Sequence, residues 1–285
     1  MTSGTRLPGA ITLVSLLIAT HAFAQTDQPL TSSPLASTAE IAEQPQSEKP
    51  EQPAHTGFGA IVRGTASDFA SFPRRQSTWV ILAIGGAAAA AAHPIDDSVN
   101  AHLQGSDAAK SFFAAGKVIG SGWFLGGTAV GTYLIGRYAM APTGGKTNKV
   151  SHTGADLIRA ELVAAALTYG IKISVRRDRP TGECCSFPSG HASGTFAAAS
   201  VLERHFGYRN AWPTLVIASY VAASRLHDNR HFLSDVLFGS ALGMASGWTV
   251  VGRHGRESFT LLPAPIRGGV MVTVTRVPSP GTVVP

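Results

Sequence analysis

Three short blocks of the sequence hold the residue types that bind and cleave a phosphate ester. They are Lys172 with Arg179-Pro180, then Pro188-Ser189-Gly190-His191, then Ser224-Arg225 with His231 and Asp235. Phosphoryl transfer needs little covalent help from a protein beyond placing the nucleophile and neutralising charge on the phosphate oxygens. An arginine fork pairs with two phosphate oxygens at once, and lysine adds a compact point charge. The blocks therefore predict a phosphate site in which Lys172, Arg179 and Arg225 supply the positive charge.

Each block also has a simpler structural interpretation. Lys172, Arg176 and Arg179, at spacings of four and three, would form a solvated basic helix face. Ser189 would be an ordinary cap of the apolar helix predicted for residues 191–206. The occurrence of all three blocks in one stretch of chain favours the phosphate site.

The two histidines give the predicted site its chemistry. His191 would stand at a helix start, where unpaired backbone N–H groups favour an anion, and its imidazole could protonate a leaving alkoxide. His231 and Asp235 are four residues apart, so on one helix they would share a face, and the carboxylate would orient the ring as a nucleophile. Asp228 or Asn229 is expected to cap this helix, and the alternative is a mere helix ion pair.

In order, spacing and identity these residues resemble the three-part signature of the type 2 phosphatidic acid phosphatase superfamily, which includes lipid phosphate phosphatases, bacterial acid phosphatases and vanadium haloperoxidases. The resemblance covers residues 157–250. It implies an all-α helical bundle, a phosphohistidine intermediate and no metal or other cofactor, with vanadate expected to bind as a phosphate mimic.

The resemblance also implies a role for each residue. His231 is the nucleophile, Asp235 its orienting partner and His191 the acid that protonates the leaving group. The phosphate would be bound by Lys172, Arg179, Ser189, Gly190 and Arg225.

The first 56 residues are not expected to join a folded core. Arg6, an apolar run and Ala22-Phe23-Ala24 are typical of a secretory signal peptide over residues 1–24, the alternative being an uncleaved anchor. Residues 25–56 are rich in Pro, Gln, Ser, Thr and Glu, so they predict a disordered tether. Residues 57–285 would then be the catalytic domain of an exported protein in the periplasm or cell envelope.

The net charge indicates an anionic partner. The chain carries 23 Lys and Arg against 17 Asp and Glu, a net charge of +6, and with +1 in the leader and −4 in the tether the domain carries +9. This suits a phosphorylated lipid, a small phosphate ester or a membrane surface. Nucleic acid is disfavoured because no nucleic-acid motif occurs.

The chain has two cysteines, Cys184 and Cys185, beside the phosphate blocks. No other cysteine is present for either of them to pair with. Because a bridge between neighbouring residues is strained, a free pair of loop thiols is expected.

Apolar stretches rich in Ala and Gly predict a bundle of about six helices with the active site at helix ends. Besides the helix of the second block, they are 78–92, 118–140, 157–175, 212–223 and 236–251. Only 118–140 approaches the ~20 apolar residues of a membrane span, and the low mean hydropathy favours a globular or peripheral protein over a multi-spanning one. After Gly255 the pattern changes to strands, which predicts a β-hairpin at 257–278 laid on the bundle.

Together these features predict a metal-independent phosphatase for phosphomonoesters or pyrophosphates, with a lipid such as phosphatidic acid or an isoprenoid pyrophosphate as the preferred substrate. The runner-up is a broad-specificity soluble acid phosphatase or phosphotransferase. A vanadium haloperoxidase is disfavoured because the chain is short, and a non-catalytic envelope module because His191, His231 and Asp235 are all retained. The sequence gives no indication of the oligomeric state.

Overall fold

The computed structural model describes residues 56–103, 107–141, 145–252, 257–266 and 269–278. The predicted signal peptide and residues 25–55 of the predicted tether lie outside them. Thr56, which the prediction gave to the tether, is instead buried. Its hydroxyl donates to the carbonyl of Lys146 at 3.2 Å, and its carbonyl accepts from the hydroxyl of Tyr133 at 2.7 Å. The folded domain therefore includes Thr56.

The larger of the two compact units of the chain, residues 47–254, is helical throughout its described part. Its α-helices are α1 (Phe58–Ser71), α2 (Gln76–Ala92), α3 (Asp96–Leu103), α4 (Asp107–Ile119), α5 (Gly122–Leu134), α6 (Lys149–Val175), α7 (Gly190–Phe206), α8 (Tyr208–His227) and α9 (Leu233–Val251). Short 3-10 turns cover Phe72–Arg74 and His93–Ile95, and a π turn covers Ile135–Ala139. The all-α prediction is confirmed for this part of the chain, although α1, α3 and nearly all of α4 had no predicted counterpart.

The continuous helix predicted over residues 118–140 is wrong. The chain breaks at Gly120 and Ser121, and the side chain of Ser121 caps α5 by accepting a hydrogen bond from the N–H of Phe124 at 3.2 Å. The helices on either side of the break are bent by 51°. A serine and a glycine inside an apolar run do not change its hydrophobic pattern. The break could therefore not be predicted from that pattern.

The helix that is long and apolar enough to cross a membrane is not the one that the sequence predicts. Within the described ranges, one helical stretch, Gln76–Leu103, is long and apolar enough to cross a membrane. Residues 109–119 and 122–139 satisfy the same criterion only as one bent pair.

Helix α6 is longer than the apolar stretch that predicted it. It begins at Lys149, because the side chain of Asn148 accepts hydrogen bonds from the N–H groups of Val150 and Ser151 at 3.1 and 3.0 Å. It runs for 27 residues and brings Lys172 to its last turn.

Helices α6, α7 and α9 form the centre of the bundle, where Val163, Val201 and Leu242 are buried. Helix α9 approaches the start of α7 closely, since a Cβ atom at Gly239 would lie 2.6 Å from the carbonyl oxygen of Ser189. Only glycine permits this approach. It holds the starts of α7 and α9, which carry most of the predicted site, against each other.

The other unit is described for two strands, β1 (Glu257–Ile266) and β2 (Gly269–Pro278). They run antiparallel, with Glu257 opposite Pro278 and Ile266 opposite Gly269. The expected hairpin cover of the helical bundle stays a prediction.

Candidate active site

A cleft of about 480 Å³ opens beside the last turns of α6. Five of the eight residues predicted for the site line it, namely Lys172, Arg179, Gly190, His191 and His231. The other three are buried but do not line it, namely Ser189, Arg225 and Asp235. The cleft thus brings two cationic side chains and two imidazoles together at the end of one helix and the start of another.

His231 lies in the loop before α9, and not on the helix as predicted. Asp235, in the first turn of α9, accepts a hydrogen bond from the N–H of Phe232 at 2.9 Å. This bond replaces the cap that was predicted at Asp228 or Asn229. Asp228 instead pairs with a guanidinium of the preceding helix at 2.7 Å.

A serine hydroxyl lies between the histidine and the carboxylate. Nδ1 of His231 is 3.6 Å from Oδ2 of Asp235, which is longer than an ordinary hydrogen bond. The hydroxyl of Ser186 is 3.3 Å from this Nδ1 and makes a short hydrogen bond to the same carboxylate oxygen. Because Nδ1 faces Ser186 and Asp235, Nε2 is the ring nitrogen left for chemistry at the cleft.

Arg177 joins Asp235 to a second buried carboxylate. One guanidinium nitrogen donates to Oδ1 of Asp235 and the other to Oδ2 of Asp96, each at 2.8 Å. Asp96 also accepts from the N–H of Ser234 at 3.0 Å. The sequence had drawn attention to Arg176, which is exposed and follows the end of α6. Its neighbour Arg177 therefore has the structural role.

Asp235 is held in its charged form by these contacts. Burial alone would raise the pKa of this carboxyl. Interactions with the His231 ring and the Ser186 hydroxyl, the N–H of Phe232 and the charge of Arg177 outweigh burial and lower the pKa. An ionised Asp235 fixes the tautomer and orientation of the nearby ring.

The two cations that line the cleft differ in their surroundings. Nζ of Lys172 donates to the carbonyls of Cys185 and Ser186 at 2.7 and 3.0 Å, and burial, with the nearby charge of Arg179, lowers its pKa to about 8. Arg179 contacts Glu183 at 3.2 Å, but its buried Nε has no hydrogen-bond partner among the described residues. An unpaired buried donor is costly, so Arg179 is well suited to an anionic ligand.

The start of α7 has the cap that the sequence predicts. The hydroxyl of Ser189 accepts from the N–H of Ala192 at 3.4 Å, and the N–H of Ser189 donates to the carbonyl of Asp235 at 3.0 Å. The first N–H groups of a helix have no partner within it. Those of Gly190 and His191 can therefore serve an anion at the cleft.

Both imidazoles are neutral at neutral pH. Burial, followed by the charge of Arg225, lowers the pKa of His191 to about 4. Burial also lowers the pKa of His231, and the charge of Lys172 acts in the same direction. Nε2 of His191 lies 3.3 Å from the carbonyl of Lys117, so in the neutral ring it carries the hydrogen, and protonation would occur at Nδ1.

The loop beside the cleft corrects the prediction for the cysteines. Cys184 and Cys185 form a disulfide, so they are not the free thiols expected from the sequence. Cys185 has a φ of 77°, and this left-handed turn brings the two neighbouring sulfur atoms together. The carbonyl of Cys185 is one of the two that hold Lys172.

Comparison with known proteins identifies the segment that carries this site. Residues 154–258 match a family model described as the PAP2 superfamily. This segment belongs to the PAP2 superfamily. The match contains every residue that we assigned to the site.

Two curated relatives are similar to part of this chain. A lipid A 1-phosphatase of Porphyromonas gingivalis is 36% identical over 96 residues, which are 32% of this chain and 21% of the relative. A lipid A 4'-phosphatase of Helicobacter pylori is 26% identical over 120 residues, which are 38% of this chain and 61% of the relative. The chain thus spans about a fifth and about three fifths of the length of these two proteins.

A solved structure shares the fold. It is the first transmembrane PAP2 type phosphatidylglycerolphosphate phosphatase from Bacillus subtilis, with a TM-score of 0.50 and 21% sequence identity. The superposition covers 61% of this chain and 92% of that one. The likeness supports the helical PAP2 architecture.

The lowered pKa values of the two histidines predict a pH profile. If His231 is the nucleophile that the resemblance implies, it must be neutral, which holds above its lowered pKa. If His191 is the acid, it must be charged, which holds below about 4 in the free protein. For an alkyl phosphate such as phosphatidic acid we then expect kcat/KM to fall as pH rises from about 4 towards neutrality. We expect kcat to peak at higher pH, because the negative charge of a bound phosphate raises the pKa of His191.

The variant His191→Asn separates the titration of His191 from the ionisation of the substrate, because the substrate ionises in the same way with the variant and with the wild type. In the wild type kcat/KM should fall as pH rises, and in the variant this fall should be absent. The same fall in both proteins, or a wild-type rate that climbs steadily into the alkaline range, would contradict the assignment of His191 as the acid.

Proposed function

We propose that this chain is a phosphatase that forms a covalent phosphohistidine at His231. The observation that carries the proposal is the cleft in which Lys172, Arg179, His191 and His231 meet, while Ser186 and Asp235 hold the His231 ring from behind. The names of the curated relatives, all phosphatases, agree with this reaction class.

The reaction has two balanced steps. Nε2 of His231 attacks phosphorus, the bond from phosphorus to the ester oxygen breaks, and the leaving oxygen takes a proton from His191. Water then attacks the phosphohistidine and gives a proton to His191, which releases inorganic phosphate and restores both rings. Lys172, Arg179 and the N–H groups at the start of α7 neutralise charge on the phosphate oxygens in both steps, with Arg225 acting from behind the cleft wall.

In this mechanism the phosphate-binding charge comes from side chains and backbone, so we infer that the reaction proceeds without a metal or other cofactor. Vanadate would bind in the cleft as a phosphate mimic. The test is phosphate release by the full chain in mixed micelles of phosphatidic acid, with a chelator present and with p-nitrophenyl phosphate as a small-ester comparison. Release that a chelator abolishes would contradict the proposal.

An apolar cavity next to the cleft favours a lipid phosphate as substrate. It has a volume of about 400 Å³ and is lined by side chains of α5, α6, α7 and α8. Leu125 and Glu161 line both this cavity and the cleft. Glu161 and Lys172 are three turns apart on α6, roughly 16 Å. Since the two cavities share lining residues, we infer that they form a path from the phosphate-binding residues to an apolar space.

Glu161 does not place a charge in this path at neutral pH. Burial raises its pKa to about 8, and its Oε1 has no hydrogen-bond partner among the described residues. A neutral carboxyl at the junction can donate a hydrogen bond to a polar group between the phosphate and the chain of a lipid.

Filling the apolar cavity should distinguish lipid from small substrates. Ala198 of α7 lines the cavity, so we expect Ala198→Phe to raise KM for a long-chain lipid phosphate by roughly tenfold, from the loss of one to two kcal/mol of apolar contact. Hydrolysis of p-nitrophenyl phosphate should change less than about twofold. Steady-state kinetics on both substrates measures the difference.

The matched control is Ala166→Phe, which adds the same ring at an exposed position of α6 that lines neither cavity. It should behave as wild type on both substrates. Equal effects of Ala198→Phe on the lipid and the small ester would favour the runner-up, a soluble acid phosphatase of broad specificity.

We further propose that the protein works at a membrane surface of the cell envelope after export. Large apolar side chains on the N-terminal helices face outwards, and Trp123 at the start of α5 is 93% exposed. Phe112 and Val118 of α4 are exposed as well. Several large apolar side chains exposed on successive helices are consistent with a membrane or protein contact. Flotation of the purified chain with anionic vesicles tests this, and a chain that stays with the soluble fraction contradicts it.

A further inference from the structure

A second cluster of buried titratable side chains lies outside the catalytic cleft. His152 and Asp156 are one turn apart near the start of α6, and His205 lies beside them at the end of α7. Nε2 of His152 and Nε2 of His205 are 3.1 and 2.9 Å from the same atom, Oδ2 of Asp156. The two rings meet edge to face with centroids 4.8 Å apart. All three residues are buried, which is rare for such a set unless the groups satisfy each other or a ligand.

These three side chains are arranged like the ligands of one metal ion. Their two nitrogen atoms and one oxygen atom all lie within 4.8 Å of one another. Donor atoms around a tetrahedral Zn²⁺, at about 2.0–2.1 Å from the metal, are roughly 3.3 Å apart, so small shifts would place an ion between them. We propose that His152, Asp156 and His205 bind a divalent transition-metal ion, with Zn²⁺ the best match to two imidazoles and one carboxylate.

The surrounding charges favour a cation. Nη1 of Arg159 donates to Oδ1 of Asp156 at 2.9 Å, and the same guanidinium pairs with both carboxylate oxygens of Asp68 at 2.8 Å. With neutral imidazoles, the linked side chains of Asp156, Arg159 and Asp68 carry a net charge of −1. The bond from Arg159 also turns Oδ2 of Asp156 towards the histidines, as partners of metal ligands commonly do.

The site is remote from the phosphate-binding and catalytic residues proposed at the cleft, so its ion would have a structural function. Asp156 precedes Lys172 by 16 positions on α6, roughly 24 Å at 1.5 Å per residue. A metal here would tie the start of α6 to the end of α7. The side chain of His152 keeps 9% of its surface exposed, which leaves room for a solvent molecule as a further ligand.

The alternative is a triad without metal, in which both Nε2 atoms carry hydrogen and donate to Oδ2 of Asp156. The metal site and the metal-free triad can be distinguished by measuring how much metal the protein binds. The full chain, freed of any polyhistidine tag, is loaded with Zn²⁺ and dialysed against metal-free buffer. We expect about one Zn²⁺ per chain, a Tm several degrees above that of the chelator-treated protein, and tetrahedral absorption bands when Co²⁺ replaces Zn²⁺.

Variants locate the ion. Asp156→Asn and His205→Gln keep side-chain size and should lower Zn²⁺ affinity by at least about tenfold and remove the Co²⁺ bands. His102→Ala removes an exposed histidine of α3 and should bind metal as wild type does. Wild-type protein without bound Zn²⁺ and with a Tm indifferent to Zn²⁺ and chelator would overturn the proposal, even if the variants fail to fold. Phosphate release by chelator-treated wild type should persist, so this result is independent of the proposed phosphatase reaction.

Discussion

Replacement of His231 by alanine should lower phosphate release to less than roughly 0.1% of the wild-type rate, in line with the loss of other enzymatic nucleophiles. In the proposed reaction no other imidazole can take its place, because His191 is the proton donor for the leaving group. Water would have to attack phosphorus directly, without the covalent step. Steady-state phosphate release from phosphatidic acid and from p-nitrophenyl phosphate measures the loss.

Two further variants show whether the loss is specific. His102→Ala removes an exposed histidine and should retain full activity. Ser186→Ala removes the hydroxyl between Nδ1 of His231 and Asp235 and should lower kcat by roughly ten- to a hundredfold, since the ring loses its orienting partner. More than a few per cent of wild-type turnover in His231→Ala would exclude His231 as the nucleophile.

Arg177→Met should be strongly damaging although Arg177 does not line the cleft. It leaves two buried carboxylates, Asp96 and Asp235, without their shared cation. Breaking a buried ion pair in this way costs about 3–5 kcal/mol. We therefore expect the free energy of unfolding to fall by about 3 kcal/mol. We expect kcat to fall at least tenfold, because Asp235 loses the guanidinium that holds its Oδ1 and one of the interactions that lower its pKa.

The neighbouring Arg176→Met is the matched control, since Arg176 is exposed. It should leave unfolding and kcat close to wild type. Asp96→Asn keeps the pair between Arg177 and Asp235 and should give an intermediate loss. Urea unfolding and steady-state kinetics measure the two arginine variants. Equal stability and equal kcat in both would show that Arg177 does not hold Asp235 in place.

The helices that the sequence predicts best are those with a strong start and a long apolar run. Helix α7 was expected from residue 191 to 206 and is found at Gly190–Phe206, because Ser189 caps it and Gly207 ends it. The break at Ser121 was missed because a side-chain cap can occur inside an apolar run without altering it. Helices α1, α3 and α4 were missed because none of them has an apolar run as long as the runs that predicted the other helices.

The sequence predicts which residues belong to the candidate site, but it does not predict the contacts that hold them in place. Lys172, Arg179, His191 and His231 were recognised from their types and spacing. Arg177 and Asp235, however, are 58 positions apart, and Asp96 reaches Ser234 across 138 positions. No local pattern encodes such pairs, so the buried contacts behind His231 became visible only in the folded chain. The same holds for Glu161, whose meaning depends on the two cavities that meet beside it.

The most direct test of the phosphohistidine is to trap it. With an aryl phosphate the leaving group needs no acid, so His191→Asn should still form the phosphoenzyme while its hydrolysis, which uses His191 as the base, slows. We would mix this variant with ³²P-labelled aryl phosphate and a chelator, quench in alkali, and digest the protein. The account predicts a label on His231 that is stable in alkali and lost in acid. The double variant, which also carries His231→Ala, should take up no label. Steady release of phosphate with no label on His231 would contradict the mechanism.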